Sequence, residues 1–508
     1  EIMPSLVGSE MCIRDSVTSN LTLNPFRTTE IKLGIQGYLA NANYPASSQA
    51  SIFESAYFTP PTYIAPLYPD GKLGAFSGGD INPVAQLGAT GYANQWRSQV
   101  YSNLRITQQI YKGLSVSGMF SFDTYNYTSN RFTKTPNTYH ATGRDANGNL
   151  LYEQTRQGTE NLAYSLSAKG NRAIYLEAAV NYRNTFGRHT VSGMMLFNQS
   201  DEINTKATNV EEALPYRFRG LAGRFTYSFD DRYFGEFNFG YNGSENFKSG
   251  ERFGVFPAGA IGYLISNEPF WKVKWINHLK IRGSIGLVGS DVLAAGRFAY
   301  LSTWESGLGG HYFGPNATWS AGIGEAQEGV LGLTWEKGLK KDLGLELKMF
   351  DSMVSIDLDY FHEKRWDILI QRSSVPGIAG LNQQPLANMG RMTNHGFEAT
   401  AEFNHHIGKV NYRIYGNFSF ARNKITEKDE APTDPWRMRT GHPLNQQFGL
   451  IALGLFEDQD EIDLSPEQKF GTVRPGDVKY LDYNGDGVVD SYDVKPIGYT
   501  SIPEIVYG

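Results

Sequence analysis

The chain has one cysteine, Cys12, so neither an intramolecular disulfide nor a cysteine-based metal site can form. Scarcity of thiols suits an oxidising compartment. No apolar run reaches the roughly 18 residues that a membrane-spanning helix needs. Any passage through a bilayer must therefore be made by strands closed into a barrel, where each backbone N–H and C=O finds its partner in the next strand. Excess positive charge is also missing: the net charge of −6 leaves no electrostatic footprint for nucleic acid. No basic and then apolar segment marks a signal peptide, and the chain stops at Gly508 inside what reads as a strand. The sequence is therefore expected to be part of a longer protein.

Glycine and aromatic residues are abundant. There are 55 Gly, 30 Tyr and 30 Phe, a composition that favours strands and turns over helices. At 508 residues the chain exceeds one ordinary soluble core, which implies several domains or one large closed sheet. The clearest stretch runs from Leu221 to Asn242. Leu221, Gly223, Phe225, Tyr227 and Phe229 alternate with Ala222, Arg224, Thr226 and Ser228, the period of a strand whose two faces meet different surroundings. After Asp230 and Asp231 the pattern resumes, with Tyr233, Gly235, Phe237, Phe239 and Tyr241 on one face and Glu236, Asn238, Gly240 and Asn242 on the other. This reads as a tight hairpin, and each strand has about the 9–11 residues that a tilted strand needs to cross a bilayer.

The pattern recurs over about 14 strands, including 30–39, 101–110, 114–127, 173–183, 190–199, 253–265, 278–288, 343–349, 354–360, 397–404 and 410–420. Connections alternate between short and long. Tight turns are expected at 111–113, 186–188, 230–231, 351–352 and 405–408, with long loops such as 200–219 and 289–330 between them. A membrane barrel, with tight turns at one end and long loops at the other, produces this alternation, whereas a β-sandwich or propeller has no reason to keep it. On strand pattern alone both architectures remain open. In a barrel Glu346, Asp357 and Asp359 line a wet lumen; in a sandwich they are an ordinary solvent face. Residues 1–16 lack the alternation and resemble translated adapter-like sequence found at the ends of assembled environmental reads, so they are expected to be an unrelated tail, with a genuine upstream loop as the alternative.

Several blocks carry a family resemblance: ALPYRFRGLAGRFTYSFDDRYFGEFNFGYNGSENF at 213–247, RFGVFPAGAIGYLISNEPFW at 252–271, LTWEKGLKKDLGLELKMF at 333–350, LANMGRMTNHGFEATAEF at 386–403 and GDVKYLDYNGDGVVDSYDVKPIGYTSIPEIVYG at 476–508. In this order they resemble SusC/RagA-like TonB-dependent outer-membrane transporters, and the likeness spans residues 20–508. The resemblance implies an all-β, antiparallel transmembrane barrel of 22 strands in the outer membrane of a Gram-negative bacterium. It further implies an N-terminal plug, a segment that contacts the TonB complex and a SusD-like surface lipoprotein over the mouth. Residues 17–508 would be part of such a barrel, with plug and TonB contact outside this sequence. The activity implied is energised import of oligosaccharides or peptides. A siderophore or cobalamin receptor is the alternative within the class. A secreted calcium-binding protein that adheres to polysaccharide is the alternative outside it. No convergent nucleophile or acid/base set suggests an enzyme.

One motif carries site chemistry. Asp482, Asn484, Asp486, Gly487, Asp490 and Asp493 fit the spacing D-x-[DN]-x-[DN]-G-x5-[DE] within residues 477–493. Side-chain oxygens fall at loop positions 1, 3, 5, 9 and 12 and the Val488 carbonyl at position 7, a set suited to Ca²⁺ as a structural clip. Asp493 in place of Glu at position 12 shortens the reach. The other reading is a cluster of Asx-turns that binds nothing. Weaker signals have plain explanations. Gly283, Gly286 and Gly289 lie within a strand pattern and lack a phosphate loop's context, and His405-His406 has no third ligand nearby for zinc. Trp304, His311, Tyr312 and Trp319 offer stacking surfaces for sugar rings but equally suit loop packing.

Overall fold

The computed structural model describes residues 12–60, 62–293, 296–431 and 434–508. Its principal element is one antiparallel sheet of fifteen strands. These are β1 (Cys12–Phe26), β2 (Thr29–Pro45), β3 (Gly91–Tyr111), β4 (Leu114–Thr133), β5 (Ala163–Phe186), β6 (His189–Asn204), β7 (Tyr216–Phe229) and β8 (Tyr233–Ser244). They continue with β9 (Phe253–Leu264), β10 (Ile276–Ser290), β11 (Glu336–Met349), β12 (Val354–Gln371), β13 (Leu386–Ile407), β14 (Val410–Glu427) and β15 (Ile505–Tyr507). Each strand pairs with the one before and the one after it in the chain, so the topology is a pure meander. Contacts divide the chain into two units. The first holds the described residues up to Ile110 together with Val116–Ala178 and Asn198–Arg217; the second holds Tyr111–Ser115, Ala179–Phe197 and Phe218–Gly508.

In the first unit, register aligns apolar side chains across three strands. Leu33 lies opposite Leu21 and Leu104, and Ile31 opposite Leu23 and Ile106. Leu21, Leu23, Leu33, Leu104 and Ile106 are nevertheless exposed. Residues 12–16, expected to belong to an unrelated tail, form the start of β1: Cys12 pairs with Ala42 and Ser16 with Tyr38. Ladder hydrogen bonds need no side-chain alternation, and Ile13 and Val17 extend the apolar face around Asp15, which is why the sequence pattern concealed this strand. Residues 1–11 of the expected tail lie outside the described residues.

In the second unit the 221–242 hairpin forms as expected. Asp230 and Asp231 both adopt left-handed backbone (φ 54° and 49°), a conformation that Asp tolerates better than most residues, and Phe229 pairs with Tyr233. Phe239 faces Gly223 across the ladder, and a Cβ on Gly223 would lie 2.3 Å from the Phe239 ring. Glycine thus gives the ring a place to lie flat on the neighbouring strand. Phe225, Phe237, Ile281, Leu343, Leu358, Tyr360 and Phe397 are all exposed on one face, an apolar surface too extended for water. Hydrocarbon is the solvent that suits it. Buried apolar side chains instead gather at the long-loop end, where Phe247, Phe256, Leu333, Trp335 and Leu369 pack together.

The short-turn end carries an aromatic girdle. Tyr233 stacks on Tyr263 with centroids 5.0 Å apart, and Trp275 stacks on Phe350 at 5.7 Å. The Glu268 carboxylate accepts hydrogen bonds from the Tyr233 hydroxyl at 2.6 Å and from Arg232 at 2.8 Å, pinning the 265–275 connection. That connection is longer than 245–252 at the opposite end, so the alternation of loop lengths reverses once.

Other expectations shift at element ends. β5 begins at Ala163 rather than 173 because its first turns of sequence, AYSLSAKGN, are mostly small and polar. His405 and His406 lie in β13, paired with Tyr412 and Asn411, and the turn is Gly408-Lys409. The expected loop 289–330 contains a separate hairpin, Thr303–Phe313 with Thr318–Gln327, and 134–162 contains another, Thr138–Arg144 with Leu150–Arg156.

Phe237→Arg, mid-strand on the apolar face, is expected to destabilise the protein by about 2–4 kcal/mol in lipid vesicles. Asn238→Arg on the opposite face should cost much less. Urea titrations of the two variants refolded into vesicles check the difference.

Candidate functional site

The face opposite the apolar one carries charges in register. On β10, β11 and β12, Lys280 lies opposite Glu346 and Glu346 opposite Asp357, while Arg282 lies opposite Gly344 and Gly344 opposite Asp359. The Arg282 guanidinium crosses β11. It donates to Asp342 at 2.9 Å and to Asp359, and pairs with Glu346 at 3.2 Å. A Cβ on Gly344 would sit 2.6 Å from the guanidinium carbon, so only glycine lets it lie across the strand. Lys280 donates to Glu346 at 3.1 Å and His278 lies 3.4 Å from the same carboxylate. Asp357 and Asp359 do share the polar face as expected. Asp359 pairs with Arg282, an arrangement that suits a charged wall along a wet passage.

The six positions of the 482–493 motif fold into one compact turn. Asp482 accepts from the Gly485 and Gly487 amides at 2.7 and 2.8 Å, Asn484 from Asp486 at 2.9 Å, Asp486 from Val488 at 2.9 Å and Asp490 from Tyr492 at 2.7 Å. Asp493, 1 % exposed, closes the turn: one oxygen accepts from the Tyr483 and Asn484 amides at 2.8 and 3.2 Å and the other from Asp490 at 2.8 Å. Val488 and Val489 pair in parallel with Glu467 and Gln468, and Val489 is fully buried. The carboxylates thus point at backbone N–H groups, as Asx side chains do in turns. Among the described residues, no three His, Cys, Asp or Glu side chains converge to hold a metal ion.

Around this turn lies a cation and aromatic cluster that sequence reading missed. Trp436 packs edge-on against Tyr483 at 5.2 Å and donates to the Tyr492 carbonyl at 3.0 Å. Lys495 sits 4.1 Å above the Tyr483 ring and Arg437 4.6 Å above Tyr492. Glu430 anchors the neighbouring segment. Burial pushes its carboxyl up, but hydrogen bonds from the Thr440 hydroxyl and the Arg439 and Thr440 amides outweigh it and hold the group below the usual carboxylate range. These partners lie far apart in sequence, and only the spacing of aromatic and basic residues at 436–439 hinted at them. Trp304, Tyr312 and Trp319 are exposed on the Thr303–Phe313 hairpin, with Tyr312 edge-on to Trp319 at 5.0 Å and His311 edge-on to Phe313 at 5.2 Å.

A family model described as TonB dependent receptor-like, beta-barrel matches residues 33–498, nearly the whole chain. The chain belongs to the TonB-dependent receptor β-barrel family. Among curated proteins it is similar to TonB-dependent receptor P26 of Formosa agariphila, 24% identical over 93% of this chain and 49% of that protein. It is also similar to TonB-dependent receptor SusC of Bacteroides thetaiotaomicron, 25% identical over 54% of this chain and 28% of that protein. Among solved structures, a chain of the RagAB peptide transporter superposes with a TM-score of 0.73 at 18% identity, covering 98% of this chain and 56% of that one. The chain spans about half the length, or less, of the curated relatives it matches. TonB-dependent barrels are outer-membrane proteins, which removes the secreted alternative and fits exposed apolar faces on every long strand. The family is one of receptors and transporters, not of enzymes.

Asp493→Asn replaces an acceptor for three backbone amides by a group with one oxygen, leaving one or two of those amides unmet. It should loosen the turn by about 1–3 kcal/mol. Amide hydrogen exchange at Tyr483, Asn484 and Asp490 is expected to accelerate, while exchange in β11 and β12 stays unchanged.

Proposed function

We propose that this chain serves active import of oligomeric nutrients, oligosaccharides or peptides, across the outer membrane, energised through TonB and assisted by a SusD-like surface lipoprotein at the long-loop end. The carrying observation is the two-faced meander. Apolar side chains stand exposed on one face, while the other holds the Arg282, Lys280, Glu346 and Asp359 ladder, a polar wall of the kind a solute passage needs. Similarity to SusC and to a chain of the RagAB peptide transporter supports the same reading. A strain lacking the gene is expected to lose growth on particular glycans or peptides as sole nutrient. Normal growth on every member of both panels would count against import.

Calcium binding by Asp482, Asn484, Asp486, Val488, Asp490 and Asp493 is part of the same proposal, as a structural clip on the 428–504 loop. Its support is the ligand spacing; its cost is that Asp493 must give up at least one amide to offer two oxygens to an ion. Millimolar Ca²⁺ should slow amide exchange across 482–493 if the clip fills. Unchanged exchange would leave a hydrogen-bonded turn and no metal site.

A further inference from the structure

On the apolar face of the second unit, β11 to β14 change character within one rung. Leu343 lies opposite Tyr360, Tyr360 opposite Phe397 and Phe397 opposite Phe420, so four apolar side chains cross the four strands side by side. Two residues further toward the long-loop end, and therefore on the same face, the rung is Lys341, His362, His395 and Arg422. The one beyond it is Leu339, Lys364, Thr393 and Lys424. No irregularity of register interrupts these three rungs. On β10 the neighbour of Lys341 is Ile285, so the basic surface begins at β11 and is local to these strands.

Lys341, Lys364 and Lys424 are exposed, and among the described residues no carboxylate pairs with their ammonium groups. Arg422 differs. It donates to Glu504 at 2.9 and 2.6 Å and is neutralised there. Three positive charges without a counter-ion thus stand together, and the imidazoles of His362 and His395 add N–H donors between Lys341 and Arg422. Lys364 and Lys424 flank Thr393 from opposite sides. Adjacent strands lie about 4.8 Å apart, so the two lysine stems rise roughly 10 Å from each other with the Thr393 side chain between them. Their flexible four-carbon stems let both ammonium groups reach one anion above Thr393.

The place of this basic plate decides what the anion is attached to. The rung beneath it, with Leu343, Tyr360 and Phe397 exposed, belongs to the face that meets hydrocarbon. The long loops of an outer-membrane barrel are extracellular, so the plate stands at the headgroups of the outer leaflet. Lysines at that level attract anionic lipid. A solute moving past Arg282 and Asp359 does not meet the plate, because those residues occupy the other face of the sheet. We propose that the plate binds the phosphate of an outer-leaflet lipid headgroup, whose acyl chains lie along the Leu343, Tyr360, Phe397 and Phe420 rung. The inference depends on the membrane location of these strands and is independent of import.

Native mass spectrometry of the full chain in detergent micelles tests it, with titrations of lipid A and of lipid A stripped of its phosphates. The phosphorylated form is expected to bind about tenfold or more tightly, since each lysine near an anionic headgroup contributes about fivefold. Lys364→Gln combined with Lys424→Gln should remove the preference, and Lys364→Arg with Lys424→Arg should keep it. Lys340→Gln with Lys348→Gln deletes the same charge from the opposite face of β11 and should leave it intact. Inorganic phosphate at the same concentration should not displace the lipid. Equal affinity for the two lipids, no binding of either, or the same loss in both glutamine pairs would overturn the site. Displacement by inorganic phosphate would overturn it too, leaving a site for soluble anions.

Discussion

Every strand of the meander must satisfy its backbone through its neighbours while its two faces meet two different surroundings. In hydrocarbon an unpaired N–H or C=O costs several kcal/mol, so the ladder admits few interruptions where side chains face lipid. The second unit obeys this closely. From β10 to β12 the register runs with one irregularity, at Ile276 to His278 beside the turn, and the apolar row Ile281, Leu345, Leu358 alternates with the polar row Arg282, Gly344, Asp359. The same strands thus supply both a lipid face and a charged wall.

That constraint also explains the composition. Large rings on a twisted sheet need neighbours that take little space, and Phe239 over Gly223 shows how glycine provides it. On the polar face Gly344 does the same for Arg282, where the demand is for a charge to cross a strand and reach acids on that strand and on the next. Glycine therefore serves opposite chemistry on the two faces. In both cases it does so by giving up a side chain, not by supplying unusual backbone angles.

Outside the strands, different physics takes over. The loops are held by side chains accepting backbone amides: Asp493 gathers three, Glu430 two and Asn82 two. Among the described residues, an ordinary buried cluster stands at the long-loop end, around Phe247 and Trp335. Loops fixed in this way can present a shaped surface without a core of their own.

Alternation alone identified most of the strands, though not β1, together with the 221–242 hairpin and the polar character of Asp357 and Asp359, because period two is a local property of the chain. The spacing of the 482–493 motif likewise marked a turn. It left open what the carboxylates would face, since a carboxylate serves a cation or an amide equally well until the backbone is placed. All of β1, Cys12–Phe26, and the start of β5 at Ala163 to Asn171 were hidden, because backbone pairing needs no apolar signal. The Arg282 ladder and the hold of Arg156 on the Gly78 carbonyl depended wholly on tertiary structure. Arg282 and Asp359 stand 77 positions apart, and Arg156 and Gly78 stand 78 apart. Such contacts leave no periodic trace in sequence, and only register and loop packing bring them together.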